Sequence, residues 1–145
     1  MNNDNHTPLH RAARNGHCCT VKLLLTNGTS TEAMDKDNNT LLHLAVWKHH
    51  TDVVELLLDK RALIQAINKY SNTPLHLAAW TGHTGMVEIL LENGSLIETK
   101  NQYSNTSLHL AALRGHTDMV ELLLQKGASI EAIVGMEILQ YNLPL

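Results

Sequence analysis

The chain has 145 residues, 43% of them hydrophobic and 17% charged, a composition that suits one folded domain of ordinary size. Its formal charge of -3 neither requires nor excludes a nucleic-acid partner. The opening "MNNDNHTPLH" lacks a basic segment followed by an apolar core, no apolar run approaches the roughly 18 residues of a membrane helix, and the only cysteines, Cys18 and Cys19, are adjacent and cannot staple distant segments. These features point to the cytoplasm, or to a host cell's cytosol for a secreted effector.

The first predicted element is a short helix over about residues 8–15. Thr7 serves as its N-cap, Pro8 takes the first helical position and Gly16 ends it in a left-handed turn. A second helix follows in "CCTVKLLLTNG", closed by Gly28, and then a polar stretch, "TSTEAMDKDNN", with Asn38 at a tight turn. The order then starts again. Thr40 opens a helix over about 41–48 in which His49 stands where Gly16 stood. "TDVVELLLDKR" spaces Val53, Val54, Leu56, Leu57 and Leu58 helically with Glu55 facing water, while Arg61 replaces the closing glycine. Thr73 opens "TPLHLAAWTGH" (helix about 74–81) before "TGMVEILLENG", and Thr106 opens "TSLHLAALRGH" (helix about 107–114) before "TDMVELLLQKG". Thr51, Thr84 and Thr117 are the expected caps of the second helices, with Asp52 and Asp118 at the positive end of the dipole. The linking segments, with Ser71 and Ser104 at the turn of the second and third, should project as fingers. The N-x-[ST] triplets at Asn27, Asn38, Asn93 and Asn105 belong to this turn vocabulary and are read as unused glycosylation sites.

The four rows repeat without a gap at a period of 33 residues. In its TPLH motif, GH step, VVxLLL run and period the chain resembles the ankyrin repeat family over about residues 2–133. The resemblance implies an all-α solenoid of stacked antiparallel helix pairs with hairpin-like finger loops, and partners that bind its concave side through fingers and first helices. The domain is placed at 1–133, with repeats at about 7–39, 40–72, 73–105 and 106–133. The sequence departs from the family pattern at the finger turns, at Arg61, and in "VGMEILQYNLPL", residues 134–145, where an apolar tail is expected to fold back as a cap over the fourth repeat. In the first row Arg11, Thr20 and Lys22 replace apolar or acidic letters, softening the outward face as an end repeat requires.

Framework letters cap, turn or fill the helix interface, where tight packing resists changes in volume. Carried over by phase, the family's surface letters are Arg14, Trp47, Trp80 and Leu113, with Asn15, Lys48, Thr81 and Arg114 beside them. In the fingers they include Lys36, Asp37, Lys69, Tyr70, Gln102 and Tyr103, with Met34, Ile67 and Lys100 adjoining. Both tryptophans and two of the three tyrosines fall in this set, as do six basic residues against two acidic ones, Asp4 and Asp37. A tryptophan on a helix is usually core. Here Ala and Leu already fill the core letters, and aromatic patches beside arginine mark interfaces. The expected surface is a basic groove in which Trp47, Trp80 and Leu113 form an apolar stripe beside Tyr70 and Tyr103, binding an acidic, apolar-anchored segment of a partner protein to a monomer. Single-stranded nucleic-acid binding by base stacking is the alternative from another class. A spacer or fragment of a larger repeat protein is a third.

Eight of the ten histidines recur in phase, and copies one repeat apart are too distant to share a zinc ion, whose ligand nitrogens lie at about 2.0–2.1 Å. They read as hydrogen-bonding braces. With no phosphate loop, nucleophile elbow or isolated acid pair, the expectation is a protein without catalytic residues, cofactor or metal.

Overall fold

The computed structural model describes residues 6–130. The expected cap at 134–145 therefore lies outside the described residues. Eight helices run through them in four pairs: α1 (Pro8–Arg14) and α2 (Cys18–Thr26), α3 (Leu41–Trp47) and α4 (Thr51–Asp59), α5 (Pro74–Thr81) and α6 (Thr84–Glu92), α7 (Ser107–Leu113) and α8 (Thr117–Gln125). No strand occurs among the described residues. The fingers are instead turns closed by Asp35 N–H to Asn39 O, Asn68 N–H to Asn72 O and Asn101 N–H to Asn105 O, and adjacent fingers are stitched by Lys69 N–H to Asp37 O and Gln102 N–H to Tyr70 O.

Each first helix opens with a reciprocal cap. Thr7, Thr40, Thr73 and Thr106 accept from the backbone N–H of the histidine three residues on, and that histidine's Nδ1 accepts from the threonine N–H. Histidine thus takes the role that Glu or Gln fills in the ordinary capping box. At the second helices the expectation of threonine caps is corrected. The N-cap positions are His17, His50, His83 and His116, none of which makes a side-chain cap bond, and Thr51, Thr84 and Thr117 are already the first helical residues. The histidine carbonyl already accepts the first helical bond, from the N–H of Val21, Val54, Val87 or Val120, so the threonine positions lie inside the helix.

The first helices, α1, α3, α5 and α7, pack on one another more densely than do the second helices. Ala12, Ala45, Ala78 and Ala111 permit that approach, and Leu9, Leu42, Leu75 and Leu108 fill the space beside them, all buried. The first helices thus form one layer of the stack and the second helices the other. Val21, Val54 and Val87, together with Leu57, Leu90 and Leu123, close the core from the second layer. In the first repeat Arg11, Thr20 and Lys22 are exposed, as their polarity requires.

The sequence's left-handed positions are all realised. Asn38, His49, Arg61, Ser71 and Ser104 have φ between 60° and 63°. The fold keeps the same backbone at each turn whether or not glycine is there, so the packing of the helices, not the local residue, sets these turns.

Candidate functional site

The surface letters come from two places in each repeat: the C-terminal end of the first helix and the finger. Arg14, Trp47 and Leu113 are the last residues of α1, α3 and α7, Trp80 and Thr81 end α5, and Lys48 and Arg114 are C-cap residues. Cations at the C-terminal ends of helices are favoured by the helix dipole in any case. Their alignment along one edge of the stack comes from the strict period. Arg14, Lys36, Lys48, Lys69, Tyr103 and Arg114 are exposed, and Trp47, Tyr70, Trp80, Thr81 and Leu113 are half-buried.

Contacts within this set divide it. The guanidinium of Arg114 lies over the Trp80 ring, 4.6 Å from its centroid. Lys69 Nζ donates to Asp37 Oδ1 at 2.7 Å and sits 5.0 Å from the Tyr70 ring; the bond to Asp37 first, then that to Tyr70, raises the pKa of Lys69. Trp47, by contrast, packs against the hydrophobic core. The two tryptophans of the expected apolar stripe thus stand in different surroundings: one ring rests on the core and the other carries a cation. Met34 and Ile67 are each 50% exposed and place apolar surface on adjacent fingers.

A cleft of about 190 Å³ opens between the first finger and the ends of α1 and α3, lined among others by Arg14, Lys36, Leu44, Trp47, Lys48 and Leu77. Asp35 and Asp37 also line it, but both are committed internally. Asp35 accepts from the N–H groups of Asp37 and Asn39, from Asn39 Nδ2 and from His6 Nε2. Burial pushes the Asp35 carboxyl upward, but these bonds together outweigh it and hold its pKa below the ordinary value.

Behind the surface runs a buried polar ladder. Asn68 Nδ2 donates to Asn39 Oδ1 at 3.0 Å and Asn101 Nδ2 to Asn72 Oδ1 at 2.8 Å, which locks each finger to the next. The histidines complete it. Because Nδ1 of His10, His43 and His76 accepts from a threonine N–H, Nε2 carries the proton and donates to the carbonyl of Ala33, Asn72 or Asn105. Burial, working against the bond to the carbonyl, lowers the pKa of His43 and of His76 to about 4. Among the described residues no group of three His, Cys, Asp or Glu side chains has the arrangement of a metal site, and no helix is long and apolar enough to cross a membrane.

The sequence reading found the rows but missed the pairing between them. Residues 34 apart in sequence meet: Arg114 covers Trp80. That spacing, one repeat plus one residue, is the signal that would have revealed the stack. A family model described as ankyrin repeats (3 copies) matches residues 1–68 and 61–133. No curated protein matches the chain.

Proposed function

The chain belongs to the ankyrin-repeat family, whose members are generally protein–protein interaction modules, and on that premise we propose that its concave face binds an acidic, apolar-anchored segment of a partner protein. The observation that carries the proposal is the Arg114 guanidinium over the Trp80 ring, 4.6 Å from its centroid. A guanidinium stacked on a ring keeps its in-plane N–H donors free at its edge, fixed in the fork that a carboxylate matches. Little ordering entropy remains to be lost on binding, which favours affinity. The same contact disfavours base stacking, because a nucleobase would first have to displace the guanidinium. No catalytic residue is assigned, a monomer in the cytoplasm is the expected state, and the surface comprises the residues named above.

The test is affinity capture with the wild-type chain and a Trp47→Ala/Trp80→Ala double variant as baits. Partners retained by the first and lost from the second support the concave surface. Identical retention by both would sink it.

A further inference from the structure

The concave face differs along its length. Arg14 and Lys48 stand at the positions equivalent, two repeats back, to Trp80 and Arg114. Where the later pair sets a cation on a ring, the earlier sets a cation beside a cation. Both are exposed, both line the same cleft, and neither makes an ion pair among the described residues. The acids in that lining do not relieve them, since Asp37 holds Lys69 and Asp35 holds His6 and the finger turn. The same lining holds apolar residues, Leu44 at 8% and Leu77 at 2% exposure and the half-buried Trp47. An apolar cavity of about 150 Å³ holds benzene, so a cleft of about 190 Å³ has room for one leucine- or phenylalanine-sized side chain.

We infer that this cleft is the principal anchoring pocket for the partner segment: it takes a carboxylate side chain on Arg14 and Lys48 and the neighbouring large apolar side chain over Trp47, Leu44 and Leu77. The inference rests on the concave-face reading above and assigns the anchor to the first two repeats together with Leu77 of α5. Charge complementarity selects the occupant. Two exposed cations in one cleft without an ion pair among the described residues call for an anion, and the apolar residues of the same lining call for a side chain that phosphodiester backbone does not have. Trp47 rests on the core and shares the cleft with Leu44 and Leu77, surroundings that suit an aliphatic or phenyl side chain.

The experiment uses the whole chain and an array of peptides of about twelve residues, an extended length that spans neighbouring repeats. Each carries one central Leu or Phe flanked by Asp or Glu. The same peptides with Lys in place of the acids, and oligo-dT, form the other arms. Fluorescence anisotropy should show the acidic peptides binding at least about tenfold more tightly than their Lys counterparts. Arg14→Gln/Lys48→Gln should abolish that preference, whereas Lys60→Gln, at the exposed C-cap of α4 and away from this surface, should leave it in place. Glutamine keeps both helix ends neutral, and circular dichroism checks that the fold is retained. If the preference survives Arg14→Gln/Lys48→Gln and disappears in Arg114→Gln, the anchor is elsewhere in the groove: this inference fails and the concave-face reading stands. If no peptide binds, or binding ignores every concave substitution, both fall. Oligo-dT that binds through Arg14 and Lys48 and displaces the peptides would replace a protein partner with nucleic acid.

Discussion

A single letter changes one joint of the stack. His50 Nε2 donates to Arg14 O at 2.8 Å and His116 Nε2 to Trp80 O at 3.0 Å, each passing over a glycine. A Cβ on Gly16 would lie 2.5 Å from the His50 ring, and one on Gly82 2.9 Å from the His116 ring. At the joint between, His49 occupies the glycine position with φ 63°. Its ring lies 4.3 Å from that of His83, whose buried Nδ1 has no hydrogen bond. The brace from His83 to the Trp47 carbonyl is missing. His49→Gly should release the left-handed strain, about 1 kcal/mol, and let His83 form the bond, worth about 1 kcal/mol more. The thermal midpoint should rise by several degrees, and the His83 ring nitrogens should shift in NMR spectra. Arg61→Gly isolates the backbone part. Arg61 has φ 63°, and a Cβ on any of its equivalents Gly28, Gly94 and Gly127 would have nothing within 4 Å. A gain of only about 1 kcal/mol, without any change at His83, is expected there by denaturant unfolding. Equal gains from the two substitutions would contradict the account of the missing brace.

In the first helices the same histidine caps its own N-terminus and donates to the next finger, so cap and repeat interface share one neutral ring. That ring cannot accept a second proton without losing its Nδ1 acceptor. With His43 and His76 held at about 4 by burial against an unfolded value near 6.5, the unfolded chain binds protons first as pH falls. Stability from these two groups is therefore constant above about pH 7, declines from about 6.5 and is fully lost below about 4, by on the order of 3 kcal/mol per histidine. Urea midpoints measured from pH 7.5 to 4.5 should fall along this course. His43→Gln, which keeps an acceptor for the Thr40 N–H, should lower stability at pH 7.5 yet flatten the decline. An unchanged slope would place the titration elsewhere.

For the molecule as a whole, each repeat touches only its neighbours, so stability is nearly a sum of local terms and the concave face can vary without endangering the stack. The two tryptophans should separate along that line. Trp47→Ala removes a ring packed on the core and should cost about 2 kcal/mol of stability, less than a fully buried ring. Trp80→Ala removes the platform under Arg114 and should cost less stability but weaken partner binding by about 2 kcal/mol. Paired chemical unfolding and titration would check this split. A Trp80→Ala variant that loses as much stability as Trp47→Ala would make Trp80 a packing residue.

The period of 33, the threonine caps of the first helices, the apolar letters and the five non-glycine turns were all legible in the sequence, because each expresses a local rule: a side chain that can cap, a residue that turns, a face that must be buried. One repeat read against the next gave the helix pairs, and the resemblance to the ankyrin repeat supplied their all-α stacking and the edge on which the free letters are expected to gather. What the sequence alone could not decide is how neighbouring copies meet. That the histidines take the N-cap position of the second helices, that Arg114 covers Trp80, that Lys69 is held by Asp37 and that His83 is left without a brace all depend on the offset between adjacent repeats. This offset follows from how alanine and leucine pack between helices, a property of the assembled stack and of no single row. It leaves Arg14 and Lys48, which line one cleft, without an ion pair or a ring contact among the described residues.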